Sequence, residues 1–303
     1  YASEGKERTF IRKTFSKYMD KNIVDYVLHH PDIIKPGGCR TRVTVLFADI
    51  AGFTTIAEQK TPEESSMILH TVLNSLTEVI IAEKGVIDKY IGDCVMAFWG
   101  APLATENDEV NGCNASLKCI SSIESVNRTL VDSGLNPISI RIGMNSGDVI
   151  AGNLGSDRLF DYTVIGDAVN LASRLESVNK IFHTNIIISE NTLKNTGDIF
   201  FVRELGLVEV KGKNEPVRIY ELIGTQAQIK PETKELVNVY NEGLECFMSG
   251  RFAEGIEIFH NLLATFPNDG PSMFYLKKCE QCAGWVMSII LCQHKNGVCL
   301  FRL

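Results

Sequence analysis

The order of apolar and polar positions along this chain switches repeatedly between the strand period and the helix period. The run TRVTVLFADI (41–50) is nearly continuous in β-branched and aromatic residues, which predicts a strand buried on both faces. VIDKYIGDCVMAFWG (86–100) reads as a hairpin, two apolar strands joined by a tight turn at Gly92-Asp93. Between them a short helix opens near Thr54, and a longer one starts at Pro62, runs to about Glu83 and is stopped by Gly85. A long amphipathic helix is predicted over 107–132. After Pro137, ISIRIGMNSGDVIAGNLG predicts two strands separated at Gly147. Asp161 to Ile165 reads as a strand, Gly166-Asp167 as a turn and Ala168 to Asn179 as a helix. TNIIISENTL adds a short strand with a helix cap at Ser189, and residues 200–223 supply two or three final strands. The hairpins exclude a purely parallel sheet. The expected fold is α+β, a mixed and mainly antiparallel sheet covered by helices, followed by a small helical segment.

The flanks read differently. Phe10, Phe15, Tyr18, Ile23 and Val27 mark a loosely helical stretch ended by Pro31 and Pro36, so residues 1–39 are expected to form a helical connector. The main domain is expected over 40–224 and a polar linker containing Pro231 over 225–233. A helical tail over 234–303 should turn near Ser249-Gly250. In that tail Gly243, Gly255, Phe259 and Pro267 fall near the small, aromatic and proline positions of a tetratricopeptide-type repeat. One copy makes a packing device or a candidate protein-binding surface, not a solenoid. Cys279 and Cys282, with Cys292 and His294 beyond, have a zinc-compatible spacing, but an irregular helical terminus is the expected reading.

Composition narrows the function classes. An apolar fraction of 45% fits an ordered globular chain, and a formal charge of -7 with no Lys/Arg stripe argues against nucleic-acid binding. The nine cysteines are scattered and odd in number, as expected for reduced thiols in a cytoplasmic region. No uninterrupted apolar run reaches membrane-spanning length. The opening YASEGKERTF carries neither an initiator Met nor a secretory signal, which leaves open whether the chain is a fragment. The full-length protein could then carry a membrane anchor upstream.

Against this acidic background, two carboxylates stand out. Asp49 ends a strand and Asp93 lies at a hairpin turn, so a hairpin beside that strand would bring both to one sheet edge as a site for Mg²⁺ or Mn²⁺. Ile50 could add its carbonyl as a further ligand. Gly52, Phe53 and Thr54 open the following helix, where backbone N–H groups suit phosphate oxygens. This is not a GxxxxGKS loop, so a P-loop mechanism is unsupported. Asn170 and Arg174 share one helical face a turn apart, a guanidinium for phosphoryl oxygens beside an amide for ribose.

FADIAGFT, KYIGDCVMAFWG, RIGMNSGDVIAGNLG and DYTVIGDAVNLASRLE resemble the signature runs of the class III nucleotidyl cyclase catalytic domain over about residues 40–224. The segment FIRKTFSKYMDKNIVDYVL is similar to the connector that joins bacterial sensor modules to such domains. The resemblance implies conversion of a nucleoside triphosphate to a 3′,5′-cyclic nucleotide and pyrophosphate. It also implies two metal ions per site and a head-to-tail homodimer whose sites draw on both subunits. Asp49 and Asp93 would hold the metals, Asn170 the ribose and Arg174 the transition state. Arg141 and Lys211, with Lys213 two residues on, would meet the phosphates. Lys89 and Thr163 would read the base. A guanylate-specific member would carry Glu and commonly Cys at those two positions, so ATP is the expected substrate. The runner-up is a weak or inactive cyclase-like nucleotide-binding dimer module. A diguanylate cyclase would show GGDEF or GGEEF where this chain has YIGDC.

Overall fold

Gly37–Ile50 forms one strand, β1, in the computed structural model, which describes Val24 and residues 37–156, 158–209, 216–286 and 300–302. The chain divides into two compact units, residues 1–176 and 177–303.

In the first unit β1 is the central strand. It pairs antiparallel with β3 (Cys94–Trp99) on one edge, Leu46 opposite Ala97, and with β4 (Ile140–Gly155) on the other, Asp49 opposite Arg141. The hairpin β2 (Val86–Ile91) and β3 turns at Gly92-Asp93, and β5 (Phe160–Ile165) pairs with β4. Val43 to Ala48 are all buried because helices cover both faces. Alternate residues Val43, Val45 and Phe47 share a cluster with Ala168 and Ala172 of α4 (Asp167–Phe182). The opposite face, at Thr44, lies against Gly112 of α3 (Asp108–Asp132). α1 (Phe53–Gln59) and α2 (Pro62–Ala82) complete the unit.

α2 begins with a reciprocal cap between Thr61 and Glu64 and buries Ile68, Val72, Leu76 and Ile80 in one stripe. By length and composition it is the one described helix that could cross a membrane.

Two expectations are corrected here. Residues 140–155 are a single strand, not two separated at Gly147. Gly147 lies in register opposite Val43, and a Cβ there would stand 2.9 Å from Ala168 Cβ, so this glycine admits α4 and makes no turn. The first strand also begins at Gly37, so the expected boundary at residue 40 falls inside it.

In the second unit β6 (Ile186–Ser189) and β7 (Phe200–Glu209) flank β8 (Val217–Thr225), both antiparallel to it. Ser189 caps the short helix α5 (Glu190–Leu193) through Thr192 N–H. Only residues 226–230 separate β8 from α6 (Pro231–Met248), so the polar linker is shorter than its sequence suggests. α7 (Phe252–Thr265) and α8 (Gly270–Val286) follow, with Gly250 at φ 75° making the expected turn. Gly243 lies under the Phe259 ring, and Gly255 against Cys279. Tyr240 and Tyr275 donate to the Glu204 and Leu205 carbonyls of β7, which ties the tail helices to the sheet. The tail also ends differently from expectation, since β9 (Leu300–Arg302) is a strand parallel to β7. The connector before residue 37, apart from Val24, and Cys292 and His294 lie outside the described residues.

Candidate active site

The metal-side residues come together because β1 and the β2–β3 hairpin are in register. Ala48 pairs with Val95, and Ile91 with Cys94 across the turn, so Asp93 projects at the end of β3 beside Asp49. Gly92, at φ 66°, supplies the turn conformation. Burial, then a hydrogen bond and the charge of Asp93, and then the charge of Glu176, push the Asp49 carboxyl up to about 7. Burial and the same three acids push the Cys94 thiol up to about 12. Arg141 works the other way on Asp49. Its Nη2 lies 3.6 Å from Asp49 Oδ2, while its Nε donates to Glu176 Oε1 at 2.9 Å.

Ile50 is buried at the strand end, and the chain then turns through Gly52, which caps α1 at φ 72° without a side-chain hydrogen bond. Phe53 and Thr54 are the first two residues of that helix. Among the described residues no group of three or more His, Cys, Asp or Glu has a metal-binding arrangement.

A second group forms around Asp88. β2 slips register between Ile87 and Lys89, making Asp88 the extra residue of a bulge. Its side chain is 0% exposed, and its Oδ2 accepts the Thr163 hydroxyl at 2.6 Å. Oδ1 accepts no hydrogen bond and faces Lys89 Nζ at 3.3 Å, and that lysine side chain is 40% exposed. Lys89 and Thr163 are therefore neighbours through a buried carboxylate. Among the described residues no hydrogen bond or ion pair joins this group to Asp49, Asp93 or Arg141.

Asn170 and Arg174 lie one turn apart on α4, the first exposed and the second half-buried. Gly143 and Gly147 let this helix approach β4, and the buried Asn145 donates to the Ala168 carbonyl at its first turn. Lys211 and Lys213 lie outside the described residues.

The model of the adenylate and guanylate cyclase catalytic domain matches residues 39–224. The chain belongs to this family. The cyclase domain is 33% identical over 211 residues, 70% of this chain, to adenylate cyclase 1 of Rhizobium meliloti, and covers 32% of that protein. It is 36% identical over 199 residues to an adenylate cyclase of Anabaena cylindrica, covering 62% of this chain and 38% of that one. The chain thus spans about a third of the length of these relatives. Among solved structures, the adenylyl cyclase CyaB of P. aeruginosa aligns at TM-score 0.58 and 34% identity over 63% of this chain and 98% of that one. The guanylyl cyclase Cya2 aligns at 0.59 and 32%, over 64% and 98%. Cyclases named for each purine therefore match this cyclase domain equally well, and the fold leaves the base open.

Sequence reasoning missed Asp88, Glu176, Asn145 and Gly143. Asp88 and Lys89 are consecutive, and regular strand alternation would send them to opposite faces. Only the bulge brings them together. Glu176 had a weaker signal, an acid two residues beyond Arg174 in a helix otherwise read for its cation.

Proposed function

We propose that this chain is an adenylate cyclase catalytic domain that converts ATP to 3′,5′-cyclic AMP and pyrophosphate. The observation that carries the substrate is the Thr163 hydroxyl committed to Asp88 at 2.6 Å, beside the Lys89 ammonium. A hydroxyl whose hydrogen is already donated presents only lone pairs outward, and an ammonium presents only donors. Adenine offers the complementary edge, an N6 amine and the N1 acceptor. Guanine offers a carbonyl and N1–H, which would leave both protein groups mispaired.

Asp49 and Asp93 suit a divalent cation, because burial and then the neighbouring Asp93 push the Asp49 carboxyl up to about 7, and a cation would offset the paired negative charge. Two Mg²⁺ or Mn²⁺ ions on Asp49, Asp93 and the Ile50 carbonyl would, when bound, activate the ribose 3′-oxygen and offset the charge of the pyrophosphate. Gly52, Phe53 and Thr54 approach the β- and γ-phosphates with backbone N–H groups. Arg141 and Lys211 carry further positive charge to the phosphates. Asn170 orients the ribose so that its 3′-oxygen lies in line with the α-phosphorus, and Arg174 meets the charge that grows on the α-phosphoryl oxygens. The P–O bond to pyrophosphate breaks as the 3′-oxygen bond forms, and the 3′-hydroxyl proton passes to a phosphate oxygen or to water.

The two separate polar groups of one chain serve two sites of a homodimer, with Asp49 and Asp93 facing the Lys89, Thr163, Asn170 and Arg174 set of the partner. A sensor module upstream of the connector would then act by changing how two domains meet. We read the α6–α7 hairpin, with Gly243 under Phe259, as a repeat-like packing element.

Incubation with ATP and with GTP in parallel, each with Mg²⁺ or Mn²⁺, tests this reading. Cyclic AMP as the main product is expected. Predominant cyclic GMP would overturn the base assignment, and neither product would overturn the cyclase reading.

A further inference from the structure

Asp88 belongs to neither the metal set nor the base-reading pair, yet both members of that pair lean on it. Its side chain is fully buried, a position a carboxylate tolerates only with compensation. Burial raises its pKa, and the Thr163 hydroxyl, the Lys89 charge and the Val164 backbone N–H hold it back. A turn former or a solvated strand residue would have none of these. The register slip that makes Asp88 the bulge residue aims it at Thr163 on β5, 75 positions along the chain.

We infer that Asp88 is a positioning residue that sets purine choice, by holding the Thr163 hydroxyl hydrogen so that only the oxygen lone pairs face the base. This rests on the cyclase reading with Lys89 and Thr163 at the base, and adds the reason a threonine there discriminates at all. A threonine hydroxyl by itself is ambidextrous, since it can turn to accept from the adenine amine or to donate to the guanine carbonyl. With Asp88 in place the donor is used up and guanine meets a lone pair. The same carboxylate keeps the Lys89 ammonium beside Thr163, so donor and acceptor are presented as a pair.

The test compares ATP with GTP in Asp88→Ala, Asp88→Asn, Thr163→Val and the Asp88→Ala/Thr163→Val double variant. Two readouts are taken: kcat/KM for each cyclic product, and displacement of a fluorescent ATP analogue by each nucleotide. Asp88→Ala is expected to lower the ATP-over-GTP ratio about 10-fold, the scale of one mispaired buried polar contact. Asp88→Asn keeps the shape, turns its carbonyl to Lys89 and its NH2 to Thr163, and so releases the hydroxyl hydrogen. It should move the ratio the same way and guards against an alanine variant that does not fold. In the Thr163→Val background the alanine change should leave the ratio where it is. An unchanged ratio in both single variants overturns the inference, as does an equal drop with and without Thr163. A parent protein that makes neither cyclic nucleotide would overturn the cyclase reading instead, and the displacement ratios would still decide the role of Asp88.

Discussion

Arg141 and Asp49 face each other across the β1–β4 register with 3.6 Å between Nη2 and Oδ2, but the guanidinium is anchored elsewhere, to Glu176 at 2.9 Å. Its influence on Asp49 is the smallest of those acting there, behind burial, Asp93 and Glu176. An arginine in the site thus fails to neutralise the paired aspartates.

The raised Asp49 carboxyl makes stability depend on pH. The folded Asp49 carboxyl titrates at about 7 and the unfolded one at 3.8, so between those values the folded chain holds the extra proton. Without divalent cations, stability from this group is present below about pH 4 and lost as pH rises toward 7. A bound cation displaces the proton and reverses the loss. Thermal melts with EDTA or saturating Mg²⁺ should show a larger Mg²⁺ shift at pH 8 than at pH 6. Asp49→Asn should remove the difference.

The shared-site reading predicts complementation. Asp93→Ala and Arg174→Ala should each be inactive, with unfolding midpoints near that of the parent. Mixed under conditions that allow subunit exchange, they should recover up to about a quarter of parental activity, from one intact hybrid site in half of the dimers. Cyclic AMP measured for each variant and for the mixture decides, and no recovery would reject shared sites.

Gly143 lies against the backbone of α4, the helix that carries Asn170 and Arg174. An added Cβ would meet Glu176 N at 2.0 Å and Ala172 O at 2.4 Å, both helix backbone that cannot swing aside. Gly143→Ala should destabilise the first unit by about 3 kcal/mol, the upper end for overpacking. It should also lower kcat by displacing the helix. Urea titration and turnover measured together check both.

In the second unit Arg203 is 4% exposed and binds Glu221 Oε2 at 2.8 and 2.6 Å and Asp269 at 2.7 and 2.9 Å, with its guanidinium 4.8 Å over the Tyr240 ring. Arg203→Met leaves two buried acids without a cation and should cost about 3–5 kcal/mol. Adding Glu221→Gln and Asp269→Asn should recover part of that loss, as read from denaturant midpoints.

The sequence was informative wherever a single chain period or a local motif carried the signal. The largely apolar run at 43–48, the turn residues Gly92-Asp93 and the helix face of Asn170 and Arg174 each depend on neighbours a few positions away, so composition and spacing suffice. The α+β class, the hairpin and the shared helix face of Asn170 and Arg174 were legible for that reason. Gly147 misled because a glycine that admits a helix and a glycine that makes a turn look alike in one dimension.

What only tertiary structure decided are relations between distant segments and departures from regular period. The Asp88 bulge shifts one strand by one residue and so places a carboxylate against Thr163, which no alternation rule anticipates. The attachment of Arg141 to Glu176, and of the tail helices to β7, joins residues 35 positions or more apart. Local sequence sets what each segment can become. Burial of one segment against another sets which protons and charges its side chains keep.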